Sequence, residues 1–173
     1  MTTSVLLDTS YLISLVNQGR KNHAAAADYY RFMLGNNVRM FVSAIAASEF
    51  AVRQRIDELP LRNFTFVPFN VPHGVEAARL WTALRRDVGD DRAVVRDDVK
   101  LMAQAEREGI SFILTDDKNT MYKHCERLRT AEVIKLRAVK LEDGFDDCAF
   151  RTDGQTGFKL AYAAKGDTGL SDR

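Results

Sequence analysis

The chain has 173 residues, 46% of them hydrophobic and 28% charged, which is the make-up of one ordinary folded domain. That excludes disorder and a metal-stapled miniprotein, and no apolar run approaches the ~18 residues of a membrane span. Charge is nearly balanced, 25 Lys and Arg against 24 Asp and Glu, but residues 142–173 carry 7 acids and 4 bases, leaving residues 1–141 at +4.

Val5-Leu6-Leu7 reads as a short buried strand ending at Asp8, with a helix starting at Thr9 and Ser10 and running toward Gly19. A second helix extends from Asn22 through residues 24–33 to Gly35, followed by a strand at Met40-Phe41-Val42. Ser43 is placed to cap a helix carrying Ile45, Glu49 and Val52. Residues 64–69 read as a third strand with Pro68 at its end. A helix follows with Ala77, Leu80, Trp81, Leu84 and Val88 at helical spacing, Trp81 read as core. Residues 89–96 read as a charged loop, Asp97 or Asp98 starts a helix ending near Gly109, and residues 111–115 form a fourth strand. A polar helix over about 120–128 and a strand near 133–136 complete the alternation.

Strands alternating with helices predict an α/β domain whose mainly parallel sheet is covered on both faces. Residues 1–141 form this domain. Residues 142–173, rich in glycine and aspartate, are expected to be a mobile extension, with Phe145, Phe150 and Phe158 available to dock. The first residues lack the basic start of a signal peptide, and Cys125 and Cys148 make neither a disulfide framework nor metal-ligand spacing. A cytoplasmic protein is expected, with no membrane partner. His23, His73 and His124 are isolated and read as surface or capping residues.

Open parallel sheets bind ligands at the carboxyl ends of their strands. Asp8 and Asp117 fall at such ends. Glu49 points from the apolar stripe of its helix, and Asp98 heads the stripe of Leu101, Met102 and Ala105. Helix capping is the competing explanation for each aspartate, but Asp97 and Asp98 cannot both cap one helix. A glutamate on an inward stripe needs an arginine, a proton or a metal ion. Two carboxylates ~5 Å apart repel by about 3 kcal/mol at an effective dielectric near 20, so such a cluster calls for a cation. All-oxygen ligands favour Mg²⁺ or Mn²⁺, which activate water for phosphoryl displacement. No glycine-rich phosphate loop follows the first strand. A haloacid-dehalogenase-like phosphatase wants an aspartate where Ser10 stands, and a receiver domain wants its phosphoacceptor where Phe69-Asn70 stands.

Four segments, Leu6-Leu7-Asp8-Thr9-Ser10, Ser43-x5-Glu49, Asp98-x-x-Leu101-x-Ala103-x-Ala105 and Leu114-Thr115-x-Asp117, together resemble the ordered signatures of PIN-domain ribonucleases over residues 4–140, with VapC-type toxins as the nearest kin. The resemblance implies a three-layer α/β/α sandwich with a five-stranded sheet in the order 3-2-1-4-5. It implies metal-binding catalytic acids at Asp8, Glu49, Asp98 and Asp117, with Asp97 and Asp116 as alternatives to their neighbours. The implied activity is Mg²⁺- or Mn²⁺-dependent cleavage of single-stranded or looped RNA, in a homodimer silenced by a cognate antitoxin. Thr9, Ser10 and Ser43 would support the acids, while Arg53, Arg96, Lys100 and Lys118 would hold the RNA backbone. The alternative is a catalytically silent domain of this fold that binds RNA or a protein. Tyr29, Tyr30 and Phe32 are candidates for a dimer face or for core.

Overall fold

The computed structural model describes residues 3–151. β1 (Ser4–Leu7) leads into α1 (Thr9–Val16) and α2 (His23–Gly35), then β2 (Arg39–Ser43) and α3 (Ala44–Arg53). Two short 3₁₀ turns precede β3 (Thr65–Val67), followed by α4 (Val71–Ala83), α5 (Arg92–Arg107) and β4 (Phe112–Thr115). A π-helical turn (Lys118–Tyr122) runs into α6 (Lys123–Thr130), and β5 (Arg137–Lys140) closes the sheet. All four pairings are parallel and the order is β3-β2-β1-β4-β5, as the resemblance implied.

Every residue of β1 and β4 is buried, so both faces of the sheet centre are covered by helices. The chain leaves β1 toward β2 on one side and returns to pair with β1 through β4 on the other. The switch point therefore lies between the carboxyl ends of β1 and β4, where a crevice opens in such sheets. The Asp8 N–H donates to Leu114 O at 3.1 Å, fixing that junction.

Several boundaries differ from the sequence reading. The helix expected to begin at Asp97 or Asp98 starts at Arg92, because Asp91 caps it, accepting from the N–H groups of Ala93 (2.8 Å) and Val94 (3.4 Å). Most of the charged segment read as a loop is thus helical, and Asp98 sits on the buried stripe with Val95, Val99 and Met102. Gly109, at φ +65°, ends α5 through bonds from Gly109 N to Glu106 O (3.2 Å) and Ile110 N to Ala105 O (2.8 Å). α4 stops at Ala83, leaving Val88 fully exposed, and the last strand falls at Arg137–Lys140 rather than 133–136. β3 is shorter than residues 64–69, and Val52 is 85% exposed, so the buried residues of α3 are Ala46 and Phe50.

Trp81 is only half-buried, with the Arg86 guanidinium 4.3 Å from its ring centroid. His73 does cap α4, although it is buried, and its Nε2 pairs with Glu108 at 2.8 Å. His124 is neither surface nor cap. It is fully buried against Asp90 at 2.9 Å. Tyr29 and Phe32 belong to the core, which leaves no dimer face made of the three aromatics together. No helix among the described residues is long and apolar enough to cross a membrane.

The packing continues past residue 141. Phe150 is fully buried, its ring 5.4 Å from Phe112, 5.5 Å from Tyr29 and 6.2 Å from Phe32, and Phe145 stands edge-on to Tyr29 at 5.1 Å. Phe158 lies outside the described residues. Removing a buried phenylalanine ring costs about 3–5 kcal/mol. Phe150→Ala should therefore lower the urea-unfolding free energy by about that amount, whereas a freely exposed tail would leave it unchanged.

Candidate active site

Asp8 occupies the N-cap position of α1, yet its side chain makes no capping bond. Its Oδ2 accepts instead from Ser10 Oγ at 2.5 Å and Thr115 Oγ1 at 2.7 Å. Ser10 and Thr115 are themselves 3.0 Å apart, a hydroxyl pair spanning the β1–β4 junction. From α3, Glu49 Oε2 accepts from Thr9 Oγ1 at 2.5 Å, so α1 orients carboxylates on two elements. Asp98 arrives from α5 at 8% exposure, and its Oδ2 is buried with no hydrogen-bond partner. Asp117, after β4, caps the π-helical turn by accepting from Asn119 N (2.8 Å), Thr120 N (2.9 Å) and Thr120 Oγ1 (2.7 Å).

All four acids line one cavity of about 510 Å³, whose walls also include Arg20, Arg53, Val94 and Asp97. Burial raises the Asp8 carboxyl above its ordinary range, with the charge of Asp117 adding to the effect. Glu49 is raised by burial and then by Asp8. Asp98 is pushed up to about 8, by burial first and the nearby Asp8 charge second. These are the marks of like charges held together out of water. An oxygen-only donor set with an unpartnered buried oxygen fits a hard divalent cation.

The alternatives and supporting residues separate cleanly. Asp97 lines the cavity but pairs with Lys100 at 2.7 Å on the solvent side of α5. Asp116 turns away to accept from Ser14 (2.6 Å), Asn22 (2.5 Å) and Arg20 (3.3 Å), which ties the α1–α2 connection to the end of β4. Thr9 and Ser10 reach the acids, whereas Ser43 does not line the cavity and its Oγ accepts from Ile45 N at 3.1 Å. Of the four cations expected to hold RNA, Arg53 is on the rim. Arg96 and Lys100 line a separate cavity beside Phe69 and Trp81, and Lys118 lines another past Asp117. Spacing alone missed Thr115 and Arg20. Thr115 stands inside the quoted Leu114-Thr115-x-Asp117 segment, but Arg20 lies in a connection with no motif.

The model of the PIN domain family matches residues 5–126. The chain belongs to the PIN-domain family. No curated protein sequence matches it. Among solved structures, it is similar to the VapBC2 complex of Rickettsia felis bound to a promoter DNA fragment, at 12% identity over 80% of this chain and 98% of that one, TM-score 0.52. It is also similar to VapC20 of Mycobacterium tuberculosis, described as a sarcin-ricin loop cleaving toxin, at 16% identity over 66% and 91% of the chains, TM-score 0.52. At such identities the likeness is one of fold.

The electrostatic strain of this PIN site has a signed consequence. Asp98 binds its proton more tightly folded, at about 8, than unfolded, near 3.8, so it lowers stability progressively as pH rises through that interval. Asp98→Asn should stabilise the chain in EDTA at pH 7 by about 2–4 kcal/mol, a gain that vanishes near pH 4. Thermal unfolding checks this, and Mn²⁺ should raise the melting temperature of the wild type far more than that of the variant.

Proposed function

We propose that this PIN-domain chain is an Mg²⁺- or Mn²⁺-dependent endoribonuclease for single-stranded or looped RNA, acting as the toxin of a toxin–antitoxin pair. One observation carries the reading. Four carboxylates from separate parts of the fold converge on one cavity at the switch point, and one buried oxygen among them has no partner. The structural likeness to VapBC2 and to a sarcin-ricin loop cleaving toxin supports the choice of substrate and partner.

In this reading Asp8, Glu49, Asp98 and Asp117 hold the cation. When bound, it activates water as a nucleophile and neutralises charge developing on the scissile phosphate. The chain's own hydroxyls do the positioning. Thr9 aims the Glu49 carboxylate, while Ser10 and Thr115 fix that of Asp8, so the acids need little rearrangement to bind. Arg20 and Arg53, on the rim, are placed to contact the RNA backbone. An antitoxin would silence the site with a basic side chain set among the carboxylates.

Cleavage of a mixed single-stranded RNA pool in Mn²⁺, Mg²⁺ or EDTA, with Asp8→Asn beside wild type, tests this directly. Wild type should cut only with metal, and the variant should lose more than about 100-fold. A wild type inert in every metal would leave the domain as a silent RNA- or protein-binding module, and an Asp8→Asn variant as active as wild type would place the cutting outside this cavity.

A further inference from the structure

The acidic cavity does not end at Asp117. A second cavity of about 520 Å³ opens beside it and shares Ser10, Arg20 and Asp117 with it. The balance of charge changes across that boundary. Five carboxylates, Asp8, Glu49, Asp97, Asp98 and Asp117, face two arginines in the first cavity. In the second, Arg20, Lys21, Lys118 and Lys140 gather around Asp116, Asp117 and Glu142.

The acids of this second cavity are already engaged. Asp116 is occupied by Ser14, Asn22 and Arg20, and Asp117 by the π-helical turn. Glu142 pairs with Lys118 at 2.6 Å, an ion pair with 53% and 35% of its two side chains exposed, and such pairs are weak in water. Arg20 is braced by Ser14 (3.4 Å) and Asp116 (3.3 Å) at the junction of the two cavities, with 45% of its side chain still exposed. Lys21 is exposed beside it.

Resting on the nuclease reading, we propose that this second cavity is a phosphate subsite for the substrate strand. Arg20, Lys21 and Lys118 hold the phosphodiester next to the scissile one, and Glu142 competes with that phosphate for Lys118. The physical need is plain, since a polyanion is repelled by a cavity of five carboxylates and must be anchored by cations immediately outside it. The second cavity is contiguous with the acids, whereas Arg96 and Lys100 line an apolar one.

The test is fluorescence anisotropy of a labelled single-stranded oligoribonucleotide with the full chain in EDTA, across a salt series. Lys21→Gln with Lys118→Gln should weaken binding about tenfold and flatten the slope of log K against log salt by roughly 0.7, the value of one single-strand phosphate contact. Glu142→Gln should tighten binding several-fold. Lys135→Gln, an exposed control just before the start of β5, should change nothing. Unchanged affinity and slope in the double variant, or weaker binding by Glu142→Gln, would overturn the subsite. The same oligonucleotide with wild type in Mn²⁺ keeps the two readings apart. Cutting with unaltered variant binding defeats the subsite alone, and altered variant binding with no cutting defeats the nuclease reading alone.

Discussion

Mutual repulsion of the carboxylates at the β1–β4 junction is the constraint around which the rest of this domain is arranged. Two carboxylates ~5 Å apart repel by about 3 kcal/mol at an effective dielectric near 20, and here the charges of Asp8, Asp117 and Glu49 all add to the raised proton affinity of Asp98. The chain bears this with hydroxyl donors for Asp8 and Glu49, a capping role for Asp117 and a raised proton affinity at Asp98. Of these four acids, Asp98 alone keeps a buried oxygen without a partner, so the crowding concentrates on the α5 side of the cavity.

That places a mechanical demand on α5. Its N-terminal side is anchored through the preceding loop, where Asp90 accepts from Lys123 Nζ (2.6 Å), His124 Nε2 (2.9 Å) and, through the Asp87 N–H, its own loop (2.9 Å). These contacts hold the Asp90 carboxyl well below the usual carboxylate range, while burial pushes the imidazole of His124 down, so a neutral His124 faces a charged aspartate. Farther along, Gln104 donates to the carbonyls of Pro68 (2.9 Å) and Val67 (3.3 Å), tying α5 to the end of β3. A helix carrying a buried carboxyl that is costly to ionise is thus fixed at both ends by polar contacts outside the site.

Much of this was legible in the residues because burial and periodicity act locally. The apolar runs at residues 5–7 and 112–114 read as strands of a mainly parallel sheet, and the acids following them fall at strand carboxyl ends. Asp98 was readable as an inward residue from its spacing to Leu101, Met102 and Ala105. The start of α5 was not, since Asp91, Asp97 and Asp98 are all good caps and only the tertiary position of the helix selects Asp91. His124 looked like a surface residue because its partner, Asp90, lies 34 positions away. Ser43 matched a motif but is spent on capping, and Phe150 sat in a polar stretch whose docking surface is built by α2 and β4. Where a residue's role depends on a neighbour distant in the chain, pattern alone could not assign it.

On the proposed function, a divalent cation relieves the charge crowded at this edge of the sheet. Calorimetric titration of Mn²⁺ into the wild-type chain at pH 7, repeated in buffers of different ionisation enthalpy, measures that relief. With its carboxyl at about 8, Asp98 is mostly protonated at this pH, so binding should expel roughly one proton. No binding, or binding whose enthalpy is the same in every buffer, would contradict it.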